Sequence, residues 1–193
     1  AYPDIEELLP PVPLGEAGTR MAKAFNSLGW HWWPSYAAIS TVARNGRSPC
    51  INLGPCNTGC PQGAKSSADI TYIARARDLG ATIIAEAAVS RVLTEGRTAI
   101  GVEYFDKVGQ IHHLHANRVI LAASATGTPR ILLNSISEMF PKGLGNNSDQ
   151  VGRHLMIHPL GFVEGIFDEV LDTDIGPQGC MIYSLEHYRS PDA

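Results

Sequence analysis

Arg118–Ala123, RVILAA, runs directly into Ser124–Ser135, SATGTPRILLNS, and the order of these residues decides the fold. Val119 to Ala123 is a continuous apolar run, the pattern of a strand buried on both faces rather than one. Ser124–Gly127 is a turn of small residues. Thr128 is placed to cap a helix and Pro129 to open it, with Ile131, Leu132 and Leu133 following. Buried strand, tight turn and helix predict an α/β sheet, whose ligands sit beyond the carboxyl ends of its strands. Small residues at such a turn let backbone approach a nucleotide closely, and the helix start offers unpaired N–H groups. Many units of this kind bind nothing, so the pattern sets a fold before it sets a function.

Upstream of this unit the period is that of strands. Thr82–Glu86, Val89–Thr94, Ala99–Phe105 and Ile111–Ala116 read as strands, separated by turns at Glu95-Gly96-Arg97 and Asp106–Gly109. This is a β-meander feeding the buried strand. Before it, residues 67–79 predict a helix, capped by Ser66 or Ser67 with Asp69 in its first turn and stopped by Gly80. Residues 1–49 are irregular, because Pro3, Pro10, Pro11 and Pro13 exclude regular helix or central strand. Within them Glu16–Leu28 predicts one short helix, with Met21, Ala24, Phe25 and Leu28 on one face and Gly29 to close it. Trp30, Trp32 and Trp33 follow. Packing of this arm onto a core is the plainer reading of the three, and the wall of a substrate pocket the sharper one.

Composition narrows the class. With 44% hydrophobic and 18% charged residues, the chain is globular rather than disordered. A formal charge of −4 leaves no basic footprint for nucleic acid. The longest apolar stretch, Val119–Ala123, is far short of the about 20 residues a membrane span needs, and no signal peptide is visible at the start. Compartment is therefore undetermined between cytoplasm and periplasm.

With VILAASATGTPRILLNS (119–135) followed by GLGNNSDQVGRHLMIHP (143–159), the chain resembles the second signature region of the glucose-methanol-choline (GMC) flavoproteins. GAKSSADITYI (63–73) is similar to a helix start in that family, and residues 81–103 to its meander. The likeness runs roughly from Pro34 to Leu160. Two departures stand out: Ser124 replaces the family's usual Gly, and Asn134-Ser135-Ile136 lacks its Ser-Gly pair. The resemblance implies part of a Rossmann-like, GMC-type FAD-binding domain with a β-meander, plus the start of a substrate domain. It further implies an arm over residues 1–49, flavin domain over 50–150 and substrate domain from 151 to 193. By the same resemblance the Val89 backbone lies against the flavin adenine, and Ala123 and Ser124 flank the adenosine. Plain strand packing would choose the same residue types.

The family's G-x-G-x-x-G fingerprint and its late catalytic His have no counterpart here, so no catalytic residue is assigned. The expectation is an internal fragment of an FAD-dependent dehydrogenase or oxidase. The intact enzyme would act on CH–OH groups of alcohols, sugars or polyols, and the chain alone would be inactive. Two rivals stay open: a non-catalytic remnant or subunit needing partner chains, and a small iron–sulfur electron carrier.

Cys50, Cys56 and Cys60 fall within eleven residues, with Pro61 next, and Cys180 stands alone. The closing Cys-x3-Cys-Pro is that of a ferredoxin run, and three thiolates suit an iron cluster better than a four-ligand zinc site. The spacing is similar to that in the catalytic subunits of bacterial FAD-dependent sugar dehydrogenases, which implies a 3Fe-4S cluster passing flavin electrons to a cytochrome. Without a cluster, oxygen or a soluble acceptor takes them. Buried filler thiols, or a disulfide, are the equal alternative. His113 and His115 share a face of one strand, and a solvated strand is the plainer reading than a metal pair. His154 and His158, within the GMC-like segment, are expected to be structural.

Overall fold

The structure, a computed structural model, describes residues 9–176 and 182–188; Pro3 and Cys180 lie outside the described residues. Two compact units result, the first of 9–81 with 164–176 and 182–188, the second of 82–163. This division cuts across the three segments expected from the sequence.

In the first unit, helix α1 (Gly15–Ser27) buries Gly18 and Ala22. Its end is closed as the sequence predicts: Gly29 N–H donates to Asn26 O at 3.1 Å and Trp30 N–H to Phe25 O at 2.9 Å. Trp30 then packs on Phe25, with ring centroids 5.4 Å apart, and edge-on to His187 at 4.8 Å. Trp32 Nε1–H donates to Asn26 Oδ1 at 2.8 Å. Strand β1 (Trp33–Pro34) pairs antiparallel with β5 (Ile182–Tyr183). The tryptophans thus fasten the arm, which is the plainer of the two readings.

The helix expected over 67–79 is split into a π-helical turn, Asp69–Ile73, and α2 (Ala74–Asp78). No side chain caps it. Ser66 is diverted, because its hydroxyl accepts Arg47 Nη1–H at 3.0 Å while the same guanidinium holds Gly63 O and Ala64 O. Gly80 does end the helix, donating to Arg77 O at 2.9 Å.

In the second unit, β2 (Ala88–Glu95), β3 (Thr98–Phe105) and β4 (Ile111–His115) form an antiparallel meander in that order. Gly96-Arg97 makes a two-residue turn. Asp106 shapes the second, its Oδ1 accepting Val108 N–H at 3.0 Å and Gln110 N–H at 2.9 Å. Gly101 sits so close to β4 that a Cβ there would lie 2.1 Å from Leu114 O. Helix α3 (Ser124–Asn134) packs on β2, with Ile131 and Val92 both buried. Buried Ser135 ties the two, accepting Val92 N–H at 2.9 Å and donating to Ile131 O at 2.6 Å. The GMC-like GLGN segment is bound to α3, with Leu144 N–H donating to Leu132 O at 2.8 Å. Buried Asn146 staples the loop, accepting Val151 N–H and donating to Lys142 O, each at 3.0 Å.

Three expectations are corrected. Thr82–Glu86 forms no strand. Arg118–Ala123 forms none either, and Ile120 is 89% exposed. A doubly buried strand needs neighbours on both edges and layers on both faces, and the described residues supply neither. Third, α3 begins at Ser124 rather than at Thr128, and Pro129 lies inside it. The hydroxyl of Thr128 turns back to accept Ala123 N–H at 3.1 Å, so the small-residue turn becomes the first turn of the helix.

A candidate dinucleotide groove and a cysteine cavity

The extended run beyond the meander leaves a groove of about 720 Å³ within the second unit. Val119–Ala123 form one wall, Val89 and its neighbours on β2 another, and α3 contributes Arg130 and Asn134. Val89 and Ala123, distant in sequence, are therefore brought to the same groove. Ser124 is not on the lining; it opens α3 at φ +68°, with Oγ 3.4 Å from Thr126 Oγ1. Left-handed backbone is unfavourable for a residue with a Cβ, and this is the position where Gly was expected from the resemblance. Arg130 and Asn134 escaped the sequence reading. They stand four residues apart on a helix that buries Ile131, and that spacing was the available signal. Arg130 has no partner among the described residues, so its charge is free for an anion.

Small side chains at the end of an extended run, an open groove beside them and an unpaired cation are a donor set that fits an adenine dinucleotide. The groove walls are chiefly apolar, which suits an adenine ring, and the guanidinium suits a phosphate.

Glu103, only 8% exposed, accepts Ser90 Oγ–H at 2.8 Å, Arg91 Nη2–H at 2.7 Å and lies 3.3 Å from His113 Nε2. The Arg91 guanidinium above all, with the Ser90 hydroxyl, holds its carboxyl down at about 2. His112 pairs with Asp106 at 2.9 Å and stacks on Tyr104, drawing that carboxyl's pKa down as well. The two histidines thus serve carboxylates of their own sheet. His115 lies on the same strand, and among the described residues no group of three or more His, Cys, Asp or Glu could hold a metal ion.

In the first unit, Cys50, Cys56 and Cys60 are free thiols that line one small cavity of about 20 Å³. Among the described residues neither these thiols nor any other three His, Cys, Asp or Glu are grouped so as to hold a metal ion. Cys60 is drawn toward the thiolate, chiefly by the Lys65 backbone N–H and further by those of residues 62–64, against the opposing effect of burial. Lys65 Nζ donates to Cys56 O at 2.9 Å, tying the ends of the loop. His154 Nε2 lies 3.2 Å from Gln150 Oε1 on the surface. Among the described residues no helix is long and apolar enough to cross a membrane.

Residues 19–160 match the GMC oxidoreductase family. The chain is 37% identical over 94% of its length to 2-methyl-1,2-propanediol dehydrogenase of Mycolicibacterium austroafricanum, covering 33% of that protein. It is 31% identical over 77% of its length to the fructose dehydrogenase large subunit of Gluconobacter japonicus, covering 27% of it. Paromamine 6'-oxidase of Streptomyces fradiae is 29% identical over 95% of the chain and 36% of that protein. The chain spans about a third of the length of the curated relatives it matches, and is a fragment by that measure. With most of its length matched, its ordered motifs and its meander, this chain belongs to the GMC oxidoreductase family.

Proposed function

We propose that these residues form part of an FAD-dependent oxidoreductase that oxidises a CH–OH group of an alcohol, sugar or polyol. One observation carries this: the groove beside Val119–Ala123 stays open and gathers Val89, Ala123 and Arg130 around it. Its shape supports a place for the adenosine part of FAD, with Val89 and Ala123 against the adenine and Ser124 setting the turn. Arg130 would meet a phosphate. When bound, FAD supplies the hydride acceptor. The names of the relatives, a diol dehydrogenase, a fructose dehydrogenase and a paromamine oxidase, support the substrate class.

The base that takes the hydroxyl proton belongs, on this reading, to polypeptide outside these residues, as do the remaining Rossmann strands. Residues 9–49 would act as an arm near the active site. A recess of about 810 Å³ in that unit, walled by Trp33, Tyr36 and Pro34, supports this, being an aromatic surface of the kind that stacks on sugar rings. The cavity lined by Cys50, Cys56 and Cys60, about 20 Å³ with no metal-holding group among the described residues, does not support the 3Fe-4S cluster that the cysteine spacing suggested. Without a cluster, oxygen or a soluble acceptor takes the electrons.

The test uses the protein carrying this chain with its flanking sequence. Anaerobic mixing with alcohols, hexoses and polyols should bleach the absorbance of bound flavin for at least one of them. A preparation without flavin, or flavin that no CH–OH compound reduces, overturns the proposal.

A further inference from the structure

Among the described residues three buried side-chain polar atoms find no hydrogen-bond partner. Two of them, Trp33 Nε1 and Thr41 Oγ1, belong to residues that line one recess of the first unit. Folded chains pair nearly all such atoms, so two orphans on one wall mark a place where a partner comes from outside. The neighbouring indole shows the contrast, because Trp32 Nε1–H donates to Asn26 Oδ1 at 2.8 Å. Neither orphan sits on loose chain. The Trp33 ring meets those of His31 and Tyr183, with centroids 5.7 and 6.4 Å away, and its backbone pairs with Tyr183 across β1 and β5. Thr41 follows buried Ser40, whose N–H donates to Ala64 O at 2.9 Å and whose carbonyl accepts Cys50 N–H at 2.8 Å. Ser66 N–H, donating to Ala38 O at 2.7 Å, secures the same segment. The wall is built before any ligand arrives, which lowers the ordering cost of binding.

We propose that this recess binds a neutral polyhydroxylated ligand, a hexose or hexitol, whose hydroxyls pair with the Trp33 indole N–H and the Thr41 hydroxyl. This rests on the reading of these residues as part of an enzyme that oxidises alcohols, and it specifies the alcohols: those with further hydroxyls besides the one that reacts. The two orphans set the class. An indole N–H only donates and so needs an oxygen, whereas a threonine hydroxyl both donates and accepts. A sugar hydroxyl meets the first as acceptor and the second in either role. Arg47, the half-buried cation on the wall, is already spent on Gly63 O, Ala64 O and Ser66 Oγ, so the unmet demand is neutral rather than for an anion. Tyr36, 70% exposed on the same recess, adds an aromatic face for a sugar ring. The volume of about 810 Å³ suits a ligand of this size. Both atoms are shut from water in the free protein, and side-chain rotamer changes of the ordinary kind admit the ligand's oxygens to them.

The protein carrying this chain, with its flanking sequence, is studied with its flavin held reduced, so that binding is read without turnover. Calorimetry compares sorbitol with 1-hexanol, which keeps the carbon chain and a single hydroxyl. Trp33→Phe removes the N–H and keeps an aromatic ring; Thr41→Val removes the hydroxyl and keeps the shape. Each should raise the dissociation constant for sorbitol about tenfold, the worth of one hydrogen bond, and leave that for 1-hexanol unchanged. In the ligand-free protein the denaturation midpoint of each variant should equal or exceed the parent's, because each deletes a polar atom that lacks a partner. Lower midpoints in both variants, equal losses for the two ligands, or a parent that binds no sorbitol overturns the proposal. The flavin reading fails separately: a parent that binds sorbitol as expected, while no CH–OH compound reduces its flavin, overturns the oxidoreductase and leaves the recess. Sorbitol binding untouched by either substitution, in a protein whose flavin alcohols do reduce, overturns the recess alone.

Discussion

The meander at 88–115 and the apolar run at 118–123 are neighbours in the chain, with similar propensity for strand, yet only the first is a sheet. In the meander each strand meets its partner after a short turn, so pairing costs little loop-closure entropy. Its details are local too: the Gly96-Arg97 turn, the Asp106 turn and the Ser90–Glu103 bond. The run at 118–123 holds the more apolar residues but pairs with no strand among the described residues. Apolar burial is non-directional, and a strand also needs N–H and C=O groups to pair with. Hydrophobicity marks where a strand is wanted; pairing decides whether one forms.

That contrast is open to attack at four points. The largest effect is expected where the meander has no slack. Gly101→Ala would push a methyl onto Leu114 O, and should destabilise the unit by about 3 kcal/mol, read as a lower denaturation midpoint; no change would mean the strands are not held at this distance. Next, Ile120→Ser should be silent in the chain by itself, within about 0.5 kcal/mol, as for an ordinary surface change. In the flanked, flavin-loaded protein the same substitution should cost about 2 kcal/mol, because there the side chain is buried beside nothing that can bond its hydroxyl. Equal effects in the two settings would erase the difference between the regions. Ser124→Gly removes left-handed strain at the junction between them and should stabilise the unit by about 1 kcal/mol; destabilisation would show that the Ser124 hydroxyl contact outweighs the strain.

The smallest response is to acid. Glu103 is held at about 2 against an ordinary 4.5, so its contribution is complete above pH 4.5 and fades as the pH falls toward 2. Chemical denaturation across that window should show the sheet weakening in the parent, and a flatter profile in Glu103→Gln. Identical profiles would place the acid sensitivity elsewhere.

Much of this could be read before any coordinates. Helix α1, its closure at Gly29, and the strands of the meander follow from periodicity and turn residues, because the forces that make them act within a few residues. The split helix at 69–78 did not, because Arg47 takes the Ser66 hydroxyl from sixteen or more residues away in sequence, along with the carbonyls of Gly63 and Ala64. The pairing of Trp33 with Tyr183 left no trace in either segment alone. At the site, the small residues of Ala122-Ala123 marked the turn, and the family resemblance drew attention to Val89. Arg130 was hidden by its neighbours: inside an apolar helix a single cation reads as a solvated face until the groove beside it is seen. The cysteine spacing showed that three thiols would be near one another, and they line one cavity.

On the function proposed above, Val119–Ala123 should pair as a strand when FAD and the rest of the flavin domain are in place. Amide hydrogen exchange at these residues measures that directly, in the chain alone and in the flanked protein with flavin bound. Rapid exchange in the chain and strong protection in the loaded protein are the predicted pair; rapid exchange in both, or protection already complete in the chain alone, would contradict it.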